Sequence, residues 1–282
     1  MQRLRTLGAA VLAATLIVAG TGCTYLQARD HLNKGINAYR GAKYGEAAEH
    51  FKQAMALDPD WLTPRIYLAT SYISQWIPGA ESPENLEMAN KAREEFLKVL
   101  EAEPKEPTAL GYLAMLSYNE AIQTLIPEER TSKLDEAAVW HQKRIDADPN
   151  QKEAYYSLGV IAFQRWNPVW LAARSGLRMR SEDPGPLKDK KVRDELKAKY
   201  SGVLDEGIQH LQKAIDIDAE YDDAMAFMNL LIRERADLLD SSEEYAKQVE
   251  IADGWLQKAL DTKKIKAARA SKSTGGIVQE TN

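Results

Sequence analysis

The sequence predicts an all-α fold, a solenoid of about five helix pairs, and three observations predict it. One helix ending recurs: Ala54-Met55-Ala56-Leu57-Asp58-Pro59, Val99-Leu100-Glu101-Ala102-Glu103-Pro104 and Ile145-Asp146-Ala147-Asp148-Pro149. A fourth copy, Ala214 to Ala219, carries alanine in place of proline. The first three are evenly spaced, 45 residues from Pro59 to Pro104 and 45 again to Pro149. A new helix starts after each, at Leu68-Ala69, Leu113-Ala114, Leu158-Gly159 and Met228-Asn229. Proline ends a helix because it has no N–H and its ring collides with the preceding turn. A helix pair repeated at such a period cannot bury its apolar stripe alone and must stack on its neighbours.

The first unit shows what the pairs are. It reads Gly35-Ile36-Asn37-Ala38-Tyr39, then Tyr44-Gly45-Glu46-Ala47-Ala48-Glu49-His50-Phe51, then Ala54 to Pro59. This resembles the tetratricopeptide repeat, a helix-turn-helix unit of 34 residues. Small Gly35, Ala47 and Ala54 let helix A and helix B approach closely, Phe51 fills the space between them, and Pro59 closes helix B. The resemblance implies a right-handed superhelix whose concave face is lined mainly by A helices. Five pairs span residues 29–262, the last closing weakly at Trp255-Leu256-Gln257-Lys258-Ala259-Leu260.

The period departs from the family's, so three units carry longer helices or a longer loop between A and B. Ile77-Pro78-Gly79 and Ile126-Pro127 fall there and break helix A, while Ser82-Pro83 and Ser241 to Glu244 start helix B. The interval from Pro149 to Ala219 is 70 residues, which predicts an insertion at about 166–199 between the two helices of one pair. Residues 263–282 read as a basic, disordered tail whose Lys263, Lys264, Lys266 and Arg269 complement the dipole of the preceding helix.

The N-terminus carries the second pattern. Arg3 and Arg5 precede a 14-residue apolar run from Leu7 to Gly20, then Thr21-Gly22-Cys23. That run is too short for a bilayer core of roughly 30 Å and reads as a signal peptide over 1–22. Cys23, the only cysteine of 282 residues, resembles the modified residue of a bacterial lipoprotein lipobox. The resemblance implies diacylglycerol and acyl chains on Cys23, a lipid-anchored linker over 23–28, and export. Thr24 after the cysteine implies an outer membrane, with the protein facing the periplasm. The plainer alternative is a secreted protein with a free thiol.

Composition excludes several classes. The net charge is −5, becoming −7 when Arg3 and Arg5 leave, and an acidic chain lacks the basic field that nucleic-acid binding needs. Hydrophobic residues make up 44%, so the chain is globular rather than disordered. None of His31, His50, His141 and His210 lies in an HExxH pattern, and the last three recur at equivalent packing sites of helix B. Asp216, Asp218, Asp222 and Asp223 straddle a helix junction and read as caps. The expectation is a non-enzyme with no metal and no cofactor beyond the lipid on Cys23.

Binding residues follow from the repeat. The family's partners lie along helix A, which here carries Tyr39, then Ile66 and Ile73, Met115 and Tyr118, and Tyr156 and Phe163. The set is apolar and aromatic and lacks the Lys/Arg/Asn clamp of the chaperone-binding branch, so it suits an extended or amphipathic segment. Alternatively the long loops fold back and these residues are core. The insertion offers a second face: Trp166, Trp170, Arg174 and Arg178, in a stretch from Leu171 to Tyr200 with nine basic and five acidic side chains. The expected function is a lipid-anchored scaffold or adaptor for envelope proteins. The alternative is a module binding a glycan, lipid or small molecule through the Trp/Arg-rich insertion.

Overall fold

The structure, a computed structural model, describes residues 24–274. Cys23, the signal peptide and residues 275–282 lie outside the described residues. All regular structure described is helical: α1 over 24–40, α2 Tyr44–Leu57, α3 Leu62–Ile73, α4 Pro83–Ala102 and α5 Pro107–Gln123. Then follow α6 Pro127–Ala147, α7 Lys152–Gly176, α8 Lys190–Ile217, α9 Asp222–Ala236 and α10 Ser242–Thr274. Odd-numbered helices are A and even-numbered ones B, giving five pairs. The chain divides into two compact units, one ending at Lys133 and the other starting at Leu134.

The recurring ending builds the same junction four times. The N–H of Asp58, Glu103, Asp148 and Asp218 each reaches back to a carbonyl of helix B, that of Ala54, Val99, Arg144 and Ala214 respectively, at 2.8–3.0 Å. Three residues on, the N–H of Trp61, Glu106, Gln151 and Tyr221 bonds the carbonyl of that same acidic residue at 3.0–3.3 Å. The fourth junction forms without its proline, so the backbone bonds specify the turn, and the Asp148 and Asp218 carboxylates add to it by accepting from the N–H of Asn150 and Glu220, each at 2.9 Å. The B helices start where the sequence places them. Ser82 Oγ accepts from Asn85 N–H at 3.2 Å ahead of Pro83, and Ser241 Oγ accepts from Glu244 N–H at 3.1 Å.

In the unit ending at Lys133, Gly35 and Phe51 interlock. A Cβ on Gly35 would overlap the Phe51 ring, so only glycine lets α1 lie this close to α2. Phe51 is fully buried and stacks on Tyr67 of α3 at 5.4 Å; Phe96 of α4, also fully buried, stacks on Tyr112 of α5 at 5.2 Å. Phe51 thus packs within its pair and also seats the next A helix, and Phe96 seats α5 in the same way. Asn85 closes the long α3–α4 loop, accepting from Ile77 N–H at 2.6 Å and donating to the carbonyls of Ile77 and Ala80 at 2.9 and 2.8 Å.

In the unit starting at Leu134 the interlock is Gly159 of α7 with Leu211 of α8, whose side chain occupies the space a Cβ on Gly159 would need. Leu211 joins Trp166, Leu204, Met228, Leu231 and Leu187 in one buried cluster spanning α7, α8 and α9.

Two expectations are corrected. There is no insertion that begins at Trp166: α7 continues to Gly176 through Pro168, and α8 begins at Lys190. The extra length is a longer A helix, a longer B helix and the loop between them. Periodicity in the sequence did not show this because Pro168 reads as a stop, yet the buried Trp166 and Trp170 on either side of it hold both halves of α7 in the core despite the cost of an interior proline. The tail boundary also moves. α10 does not stop near residue 262 but runs to Thr274, where Lys266 pairs with Asp222 and Arg269 Nη1 lies 2.8 and 2.7 Å from the two Glu220 carboxylate oxygens. The basic residues hold a helix there by pairing with the start of α9.

His141 stands where Phe51 and Phe96 stand in the earlier pairs. Burial, reinforced by the positive charge of Arg144, lowers its pKa to about 3, so the fold keeps the imidazole neutral. Its contribution to stability is complete above the unfolded value near 6.5 and is lost as pH falls from there toward 3. His141→Phe is therefore expected to flatten the acid limb, gaining roughly 2–4 kcal/mol on the wild type between neutral pH and pH 3. Urea midpoints measured across that range check it; parallel pH profiles for the two proteins would contradict it.

Candidate protein-binding faces on the A helices

The predicted helix-A residues are neither free surface nor sealed core. In the unit ending at Lys133, Tyr39, Ile66, Ile73, Met115 and Tyr118 are all half-buried. Tyr39 is fixed by a 2.8 Å bond between its hydroxyl and Ser74 Oγ and by its ring lying 5.2 Å from that of Tyr44. Ile73 and Met115 pack against a small cluster of Trp76, Ala89 and Leu116. The structure thus joins Ile73 and Met115, from successive A helices, into one apolar patch.

In the unit starting at Leu134 the A helices α7 and α9 build an aromatic row. The Tyr156 ring lies 5.1 Å from Tyr221 and 5.7 Å edge-on to Phe227, and Phe163 meets Phe227 edge-on at 5.4 Å. All four are half-buried. Such edge-to-face contacts hold rings in defined places while leaving part of each exposed. Burial raises the Tyr221 phenol well above its ordinary value, so it stays a neutral donor. Tyr221 and Phe227 were missed in the sequence because the helix-A positions that give Tyr156 and Phe163 on α7 fall on Ala226, Leu230 and Arg233 in α9. Phe227 lies one residue off that register, and Tyr221 precedes the helix. Aromatics flanking a helix start were the available signal.

Three of the insertion residues are corrected. Trp166 is fully buried, while Trp170 and Arg174 are 8% and 2% exposed, so none is a surface contact. They anchor the α7–α8 loop. Trp170 Nε1 donates to Asp237 Oδ2 at 2.6 Å, and Arg174 pairs with that oxygen and donates to the carbonyls of Arg180 (2.9 Å) and Asp183. Leu187 N–H closes the loop onto the Asp237 carbonyl at 3.0 Å. Only Arg178 of that set is exposed, at φ 53° in the left-handed turn that ends α7. The burial follows from the continued helix, which carries Trp166, Trp170 and Arg174 down one face at successive turns of four.

The other polar candidates are occupied. Asp218 accepts from Glu220 N–H at 2.9 Å and pairs with Lys152 at 2.6 Å, as caps do. His31 Nδ1 and His50 Nδ1 lie 3.4 Å apart between α1 and α2. No group of three His, Cys, Asp or Glu among the described residues is placed to hold a metal ion. A cleft of about 270 Å³ between α6, α7 and α8, lined by residues that include Val139, Ile161, Val203, Arg165, Glu206 and His210, was not foreseen. Among the described residues no helix is long and apolar enough to cross a membrane.

Paired helices with a small residue on A set against a large one on B define the tetratricopeptide-repeat fold, and this chain has it. No protein-family model matches the sequence, and no curated protein matches it either. Solved structures do. A crystal structure of MamA protein aligns with TM-score 0.52 at 16% identity, covering 86% of this chain and 94% of that one. A second crystal structure of MamA gives 0.51 at 16%, covering 83% and 96%. The MamA RS-1 ArsTM double mutant gives 0.50 at 17%, covering 86% and 97%. At these identities the likeness is one of fold.

Glu234 of α9 lies beside the loop anchor. Asn167 Nδ2 donates to its Oε1 at 2.9 Å, while Oε2 is buried with no hydrogen-bond partner among the described residues. Burial, opposed by that bond and helped by the charge of Asp237, raises its pKa to about 7. The fold therefore holds it protonated, and that stability, complete below about 4.5, is lost as pH rises through 7. Glu234→Gln keeps the acceptor for Asn167 and removes the titration. It is expected to stabilise the protein by about 2–3 kcal/mol at pH 8 and by little at pH 4.5. Equal effects at both pH values in urea titrations would contradict the assignment.

Proposed function

We propose that this protein is a non-catalytic scaffold of the bacterial envelope, tethered by acyl chains on Cys23, whose A-helix faces hold segments of other proteins. The observation that carries it is the row of half-buried rings Tyr156, Tyr221, Phe227 and Phe163 on α7 and α9. Rigid, partly exposed aromatics give contact area at low entropic cost, the usual chemistry of binding hot spots. The repeat fold supports the same reading, since its units supply binding surface rather than assembled catalytic groups. The Ile73 and Met115 patch offers a comparable apolar seat in the other unit. Tethering rests on the sequence around Cys23: a basic start, a short apolar run, small residues, then a solitary cysteine. Two acyl chains are the number that gives stable membrane attachment. The glycan- or lipid-binding alternative loses its support, because Trp166, Trp170 and Arg174 are consumed inside the fold.

Two measurements test the two halves. Mass spectrometry of the N-terminal peptide from envelope fractions is expected to find a chain beginning at Cys23 with lipid on the sulfur; an unmodified thiol would remove the tether. Photocrosslinking from Phe163 and Tyr118 positions in intact envelopes is expected to trap defined proteins, with the Phe163 adducts reduced at least about tenfold by Phe227→Ala. Adducts unchanged by that substitution would remove the aromatic row from the proposal.

A further inference from the structure

The last described helix, α10, leaves open a face that the preceding B helix buries. Leu204, Leu211 and Ile215 of α8 lie in the core against α9. Stepping 45 residues along the chain gives Val249, Leu256 and Leu260 of α10. Leu211 is fully buried and Ile215 is 8% exposed, whereas Leu256 is 41% and Leu260 46% exposed. The difference is the following A helix: α9 covers α8, and no helix among the described residues does the same for α10.

The residues on that side of α10 are Val249, Asp253, Leu256, Leu260, Lys263 and Ala267, spaced alternately four and three apart. That spacing is the seam of a paired helix. It is also self-complementary about Lys258 when two copies run antiparallel. Leu256 then faces Leu260, Val249 faces Ala267, and Asp253 faces Lys263, each twice by symmetry.

We infer that the occupant of this face is a second copy of the chain, and that the protein forms a two-fold dimer through antiparallel α10 helices. Lys263 of the partner subunit adds to the existing Arg233–Asp253 pair at each end of the seam. Six residues a side is a small interface, so association is weak, on the order of tens of micromolar. This contact is separate from the aromatic row and stands or falls without it.

The test is sedimentation equilibrium of the full chain in density-matched detergent under reducing conditions, up to about 500 µM. A monomer–dimer equilibrium is expected. Asp253→Lys alone and Lys263→Asp alone each place like charges together twice and are expected to weaken dimerisation about tenfold. The double variant Asp253→Lys/Lys263→Asp restores both pairs and is expected to return within about threefold of wild type. Leu256→Glu abolishes the dimer, with helix content by circular dichroism as the folding control. A wild-type monomer throughout overturns the proposal and assigns the face to another protein's helix. A dimer whose single reversals are not rescued by the double variant overturns the antiparallel register.

Discussion

The structure depends on a steric interlock where an A helix crosses its B helix, seen in α1 with α2 and in α7 with α8, a small residue on one set against a large residue on the other. Gly35 with Phe51 and Gly159 with Leu211 show it directly, since a single added carbon on either glycine would occupy space already filled. The close approach buries the B-helix side chain completely, and that same side chain then seats the following A helix, as Phe51 does for Tyr67. One contact thus fixes geometry within a pair and between pairs. Packing at crystal-like density transmits such a constraint along a row of helices.

Because the constraint is local and repeated, much of the fold was legible in the sequence. The acidic residue before each proline, the alanines and glycines at the crossings and the Ser82 and Ser241 caps could be read because each acts through its nearest turns. The seats of Tyr39, Ile73, Met115, Tyr156 and Phe163 on A helices followed from the same register. What could not be read was non-local. Pro168 and the basic stretch after it looked like a break and an exposed segment. The deciding partners, Asp237 and Glu234, lie more than sixty residues away on α9 and at its end. Lys266 and Arg269 likewise suggested a frayed tail until Glu220 and Asp222 were seen opposite them.

That reassignment changes what the charged residues of the C-terminal unit do. Arg174, Trp170 and Asp237 join the α7–α8 loop to the end of α9, and the near-absence of solvent makes their geometry consequential. A buried pair contributes little net stability relative to an apolar replacement, but losing one partner strands the other at a cost of several kcal/mol. The anchor therefore fixes where the loop lies more than it adds to stability. It leaves the neighbouring A-helix rings as the exposed chemistry of the unit, which is why the proposed binding function rests on aromatics rather than on arginines.

The account is tested most directly by a double-mutant cycle across one interlock, Gly159→Ala with Leu211→Ala, measured by urea unfolding. The first substitution crowds Leu211 and the second opens a cavity, each destabilising by about 1–4 kcal/mol. Together the added methyl partly fills the space the leucine left. The account predicts a double variant more stable than the sum of the single changes by about 1 kcal/mol or more. Additivity within roughly 0.3–0.5 kcal/mol would contradict it, because the two residues would then not share the space that sets the spacing of the helices.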